Sequence, residues 1–199
     1  MYTGSGKKSI GEDENHFKKK RLVYAERSEE KRIEYLEKLA EIPQEERVYV
    51  DESGCDEYYH RKRGRALRGV KVEGVCRGRQ YARTNVIAAK CNGEIWSPRT
   101  YNHTTTGRFF VDVFEHDLLS IVPQGYTIIM DNASFHPKKE LRKIADRYGV
   151  KLLFLPPYSP DFNPIENLWA NLKHWLRDHL PIFVSLRFAI LHYSTRFIS

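Results

Sequence analysis

Two short apolar runs limit this chain to very few architectures. Tyr126-Thr127-Ile128-Ile129-Met130 stops at Asp131, and Val150-Lys151-Leu152-Leu153-Phe154-Leu155 stops at Pro156-Pro157-Tyr158-Ser159-Pro160. Each run is too short for a helix and bounded by breakers, so each reads as a buried strand. Between them Pro137 opens a helix carrying Leu141, Ile144, Ala145 and Tyr148, which Gly149 ends. Upstream, Val48-Tyr49-Val50 is a short β-prone run ending at Asp51. Thr84 to Cys91 and Glu94 to Tyr101 form two further strands across an Asn92-Gly93 turn, a strong hairpin signal. From Thr106 the period turns helical, with Phe109, Phe110, Val113, Phe114 and Leu118 on one side, and a last long helix starts at Pro164. The order of strand, hairpin, helix, strand, helix, strand, helix predicts an α/β fold: a mixed five-stranded sheet with helices on both faces.

The chain has 199 residues, 41% of them hydrophobic, enough to bury a core in one domain and too many for a wholly disordered polymer. Residues 1–45 read as a polar, basic arm with one helix. Ser28 caps that helix, Glu29 and Glu30 fill its first turn, Ile33, Leu36, Leu39 and Ala40 share a face, and Pro43 stops it. Residues 46–180 hold the folded unit, and 181–199 form an apolar tail or terminal helix with no acid after Asp178. Within the long helix, Trp169, Leu172, Trp175 and Leu176 share a face and read as core, with Lys173 and Arg177 on the solvent side. No uncharged apolar run approaches the roughly 20 residues of a membrane span, and Met1 to Lys20 lacks the apolar stretch of a secretory signal. Cys55, Cys76 and Cys91 have no C-x-x-C spacing and read as reduced thiols. The expectation is a cytoplasmic protein without membrane contact. Absence of H-x-x-x-H pairs and of a glycine-rich phosphate loop argues against zinc and ATP.

Positive charge is concentrated. The formal net charge is +7, yet His60 to Lys90 alone holds ten Lys or Arg against the single acid Glu73. Its opening residues Arg61, Lys62, Arg63, Arg65 and Arg68, with Lys71, are interrupted by glycines and read as a loop. Such a loop suits contact with DNA phosphates, where released counterions add affinity independent of sequence. A solvated loop that only keeps the chain dispersed is the plainer reading.

Three acids stand where elements end: Asp51, Asp131 and, in the first turn of the last long helix, Glu166. If the first two strands are neighbours, both aspartates leave one sheet edge, and a helix packed there aims Glu166 between them. At about 5 Å and an effective dielectric near 20, each pair of carboxylates repels by roughly 3 kcal/mol. A cluster of this kind calls for a cation or a raised pKa. Hard oxygen donors suit Mg²⁺ or Mn²⁺, the ions of two-metal phosphodiester chemistry. Plainer readings exist for each acid. Asp131-Asn132 suits an Asx-turn, Asp51 an ordinary strand exit, and Asn163, Pro164 and Glu166 together a capping box.

The segment Met130-Asp131-Asn132-Ala133-Ser134-Phe135-His136, followed by Leu155-Pro156-Pro157-Tyr158-Ser159-Pro160-Asp161-Phe162-Asn163-Pro164-Ile165-Glu166-Asn167-Leu168-Trp169, resembles the catalytic core of the DDE transposases of the mariner superfamily, in their bacterial insertion-sequence branch. Val50-Asp51-Glu52-Ser53-Gly54 resembles that family's first-aspartate motif, and the 34 residues between Asp131 and Glu166 match the branch's spacing for a third acid that is glutamate. The resemblance covers roughly residues 20 to 180. It implies a ribonuclease H-like fold, with Asp51, Asp131 and Glu166 as the catalytic, metal-binding triad. It further implies water attack at the element's end, strand transfer by the freed 3′-hydroxyl, double-stranded DNA as substrate and target, a TA target dinucleotide, and a homodimer on DNA. His136, Asp161 and Asn163 lie inside the matched motifs and are expected in turn, capping and supporting roles. Glu52 is left out, because it faces the opposite side if the strand continues.

The family's helix-turn-helix recognition modules have no counterpart before Val48, where only one amphipathic helix and a polar arm stand. That assigns end recognition to a separate or fused helix-turn-helix part. A second functional expectation follows: a truncated, non-catalytic DNA-binding regulator or relic of a transposase.

Overall fold

The computed structural model describes residues 27–57 and 83–195. In chain order the elements are α1 (Glu29–Ala40), β1 (Arg47–Asp56), β2 (Arg83–Cys91), β3 (Glu94–Tyr101), α2 (Gly107–Asp112), β4 (Thr127–Met130), α3 (Lys138–Arg147), β5 (Lys151–Phe154), α4 (Ile165–His179) and α5 (Leu186–Thr195). The five strands make one mixed sheet in the order β3-β2-β1-β4-β5. The β1–β4 and β4–β5 pairs are parallel, while β1–β2 and β2–β3 are antiparallel. The β2–β3 hairpin turns on Asn92 and Gly93, with φ of 48° and 90°, the two left-handed residues that a type I′ turn requires.

Strand alternation sends side chains to opposite faces. Val48, Val50, Ile128 and Met130 point to one side, where Phe110, Phe114, Leu118 and Leu141 from α2 and α3 bury them. The α2 helix is capped by the Thr106 hydroxyl and widens into a π-helix over Val113–Leu118, which keeps Val113, Phe114 and Leu118 on the buried side. On the opposite face α4 and α5 set Ile165, Trp169, Leu172, Leu176, Ala189 and Ile190 against Cys55, Val86, Ala88 and Ile95. Near the β4–β5 end of that same face, Tyr35 of α1 packs with Ile129 and Leu155. Cys55 and Cys91 are buried; Cys76 lies outside the described residues. No helix among the described residues is long and apolar enough to cross a membrane.

Two elements differ from the sequence expectation. β1 does not end at Asp51 but runs to Asp56, because β2 pairs with it as far as Asp56↔Arg83 while its other neighbour β4 stops at Met130. In α1 the inward face is Arg32 and Tyr35, and Ile33 and Leu36 are 57% and 45% exposed. The helix is turned by a polar anchor. Arg32 forms two hydrogen bonds to the Asp161 carboxylate, at 3.1 and 2.7 Å, and its guanidinium lies 3.8 Å over the Phe162 ring. Tyr35 stacks on the same ring at 5.3 Å.

Candidate active site

The β1–β4 register pairs Val50 with Met130, so Asp51 and Asp131 follow side by side on adjacent parallel strands. There β4 ends and β1 continues along β2, so the strands part. The gap opens into a cleft of about 390 Å³ walled by Asp51, Asp131 and Glu166, with Pro156, Tyr158 and Asn163 among the rest of its lining. α4 supplies both Glu166 and, three residues on, Trp169, whose Nε1–H donates to Asp51 Oδ2 at 2.9 Å. The indole thus serves two ends: its ring is core, and its polar edge fixes the first aspartate.

Asp131 is held from two directions. Its Oδ1 accepts from the Ala133 N–H at 3.2 Å, the Asx-turn that the sequence allows. His136, whose side chain is 1% exposed, places Nδ1 3.2 Å from the same oxygen. Nδ1 is off the line of a hydrogen bond, so that contact is electrostatic. The other ring nitrogen, Nε2, is 3.1 Å from Glu52 Oε1, and the ring packs at 4.2 Å on Phe110. Glu52 therefore belongs to the site, through the face of β1 opposite Asp51. Its exclusion for facing the opposite side overlooks His136, which lies on that side against Phe110 and links Glu52 to Asp131.

The electrostatics separate the carboxylates. Burial pushes Asp51 up to about 7; the Trp169 N–H opposes this, and the charges of Glu52 and Glu166 add to it. Burial also raises Asp131, but the His136 ring and the Ala133 N–H outweigh it and leave that carboxyl below its ordinary value. For His136 burial favours the neutral ring, yet the Asp131 and Glu52 carboxylates on either side raise its pKa to about 9. The site therefore favours a charged His136 ring between two carboxylates, beside an aspartate whose burial favours its neutral form.

Three oxygen-donor acids on one cleft are the chemistry of a hard divalent cation. The charges of Glu52 and Glu166 add to the burial that raises the Asp51 pKa, so a cation among these acids would be favoured. The donors face the cleft without closing on it: among the described residues no three His, Cys, Asp or Glu are grouped tightly enough to hold an ion. The capping alternative for Glu166 lacks its reciprocal half. The Asn163 N–H already donates to Pro160 O at 2.9 Å, Asn163 Oδ1 caps Ile165 N–H at 3.3 Å, and the exposed Glu166 side chain borders the cleft. The basic residues Arg61, Lys62, Arg63, Arg65, Arg68 and Lys71 lie outside the described residues.

Residues 46–184 match the family model described as DDE superfamily endonuclease. The chain belongs to this family. Among curated relatives, the uncharacterized protein y4pE/y4sA of Sinorhizobium fredii (strain NBRC 101917 / NGR234) is 39% identical over 54 residues, 27% of this chain and 38% of that protein. The Tc1 transposase of Caenorhabditis elegans is 40% identical over 58 residues, 29% of this chain and 21% of that protein. The matched part thus spans well under two thirds of these relatives. Among solved structures, the Mos1 mariner paired end complex with Mn superposes with a TM-score of 0.69 at 18% identity, covering 92% of this chain and 59% of that one. The isolated Mos1 catalytic domain gives 0.57 at 12% identity, covering 90% and 86%. The endonuclease shares their ribonuclease H-like fold.

Proposed function

We propose that this DDE endonuclease is the catalytic part of a mariner-type transposase of an insertion sequence. It cleaves DNA at the element's ends and joins the freed 3′-hydroxyl to target DNA. The observation that carries the reading is the juxtaposition of Asp51 and Asp131 at the parting of β1 and β4, with Glu166 on the facing wall of the same cleft. In this reading the three acids hold Mg²⁺ or Mn²⁺, which supplies Lewis acidity for water attack and for the leaving oxygen of the phosphodiester. Trp169 orients Asp51, and the Glu52–His136 pair orients Asp131, so the cleft presents two carboxylates fixed before substrate arrives. α4 runs for fifteen residues and presents Glu166 from its first turn.

Residues 46–180 form the catalytic domain, with the helix of 1–45 and the segment 181–199 bracing it. Arg61, Lys62, Arg63, Arg65, Arg68 and Lys71 contact the DNA backbone. End recognition falls to a helix-turn-helix part, separate or fused, and two copies act together on DNA in the bacterial cytosol. The test is nicking and joining of supercoiled plasmid with Mn²⁺, comparing wild type with Asp131→Ala. Metal-dependent nicking and joined products lost in the variant, with duplex binding retained, support the reading. Duplex binding without any cleavage by wild type would overturn it in favour of a DNA-binding regulator.

A further inference from the structure

A second cleft, of about 610 Å³, shares the Asp51–Asp131 wall and extends along β1 and β2 to the segment after β3. Its cation is Arg83, the first residue of β2. Two contacts hold that side chain, and no acid among the described residues neutralises it. The Arg83 guanidinium lies across Gly54 of β1, where a Cβ on Gly54 would overlap Nη2, Nε and Cζ. Its Nε–H donates to Asn85 Oδ1 at 3.3 Å, and Asn85 Nδ2 in turn donates to His103 O at 2.9 Å, so the amide is oriented by the backbone. Among the described residues no carboxylate lies within ion-pair distance of Arg83, in contrast to Arg32, Arg99 and Arg147.

An arginine braced by a neutral amide keeps its full charge and four of its five N–H donors. Such a fork suits the planar, bidentate recognition of a phosphate. Its place in the cleft that Asp51 and Asp131 wall sets the phosphate beside the acids. We propose that Arg83 clamps a backbone phosphate of the DNA strand next to the one being cut, and that position 54 is glycine because the guanidinium occupies the space of its side chain. The proposal rests on the DNA-cleaving reading above.

The geometry provides a variant that moves the arginine without removing it. In Gly54→Ala the three atoms nearest the new methyl all belong to the far end of the flexible Arg83 side chain, so the guanidinium is displaced while the backbone holds. Binding of a short mixed-sequence duplex is measured against salt, with Ca²⁺ in place of Mn²⁺. Arg83→Ala lowers the slope of log affinity against log salt by about one and weakens binding about tenfold. Gly54→Ala reproduces most of that loss at an unchanged melting temperature, and the double variant is no weaker than Arg83→Ala. Asn85→Ala, which removes the brace and leaves Arg83 and Gly54 themselves unaltered, moves in the same direction. An unchanged slope in Arg83→Ala, or losses that simply add in the double variant, would overturn the proposal. Plasmid nicking by the same wild-type preparation separates the two failures. Nicking that persists with an unchanged Arg83→Ala slope removes only the clamp, whereas wild type that neither binds nor nicks DNA removes the cleavage reading with it.

Discussion

Asp131 is the most constrained acid of the site, since one oxygen meets both the Ala133 N–H and the His136 ring, and that ring is anchored on Glu52. Partners that orient a ligand commonly change metal affinity or rate by about 10–100-fold when removed. Glu52→Ala is therefore expected to weaken Mn²⁺ binding and plasmid nicking within that range. Glu52→Gln restores part of both, because its side-chain oxygen still accepts from His136 Nε2. Equal behaviour of the two variants would make the Glu52 charge, rather than the hydrogen bond, the agent that holds the ring. That the three acids share one cleft was legible from the motifs that carry them, although Asp51 lies within β1 and not at its end. Glu52 was not legible: its side chain does face away from Asp51, and only the fold brings His136 to that face to link it with Asp131. Trp169 was half legible: helical spacing places its ring in the core, but no local pattern reveals that its N–H reaches a strand 118 residues away.

Among the elements, α1 shows how a single polar contact can set the rotation of a helix. Its start was readable from Ser28, which accepts from Lys31 N–H, and from the acidic first turn. Its inward face was not, because apolar periodicity points to Ile33 and Leu36, whereas Arg32 is drawn inward by Asp161 and Phe162. The Arg32 guanidinium beside Asp161 holds that carboxyl below its ordinary range, against a smaller opposing effect of burial. A lowered folded pKa stabilises the fold fully above the ordinary carboxylate value, and the contribution is lost as pH falls through the folded value. With the Asp161 side chain 34% exposed, solvent screens the pair, and Asp161→Asn is expected to cost about 1–2 kcal/mol at pH 7. For a chain of this size that is about 2–8 °C in Tm. Thermal melts of both proteins from pH 7 down to pH 2 should converge at the acid end; a constant gap across that range would assign the loss to packing instead.

For the whole molecule, the succession of strands and helices was readable because the β4 and β5 runs are short, apolar and clearly bounded, and because the Asn92-Gly93 turn fixes one pairing outright. Parallel pairing of β1 with β4 was not local information, yet it brings Asp51 beside Asp131 and opens the cleft. The same sheet carries both clefts, so the strand that bears the acids also bears Gly54, against which Arg83 rests. The reading of the cleft as a metal-dependent nuclease site stands on whether Glu166 serves the cleft or the helix. Asn163 N–H is already satisfied by Pro160 O, so Glu166→Gln leaves the helix start intact and removes only a charge. Calorimetric titration of Mn²⁺ into wild type and Glu166→Gln decides the matter. Binding to wild type that weakens at least tenfold in the variant, with an unchanged melting temperature, is the predicted result; equal Mn²⁺ affinity in the two proteins would contradict it and leave Glu166 a residue of the helix alone.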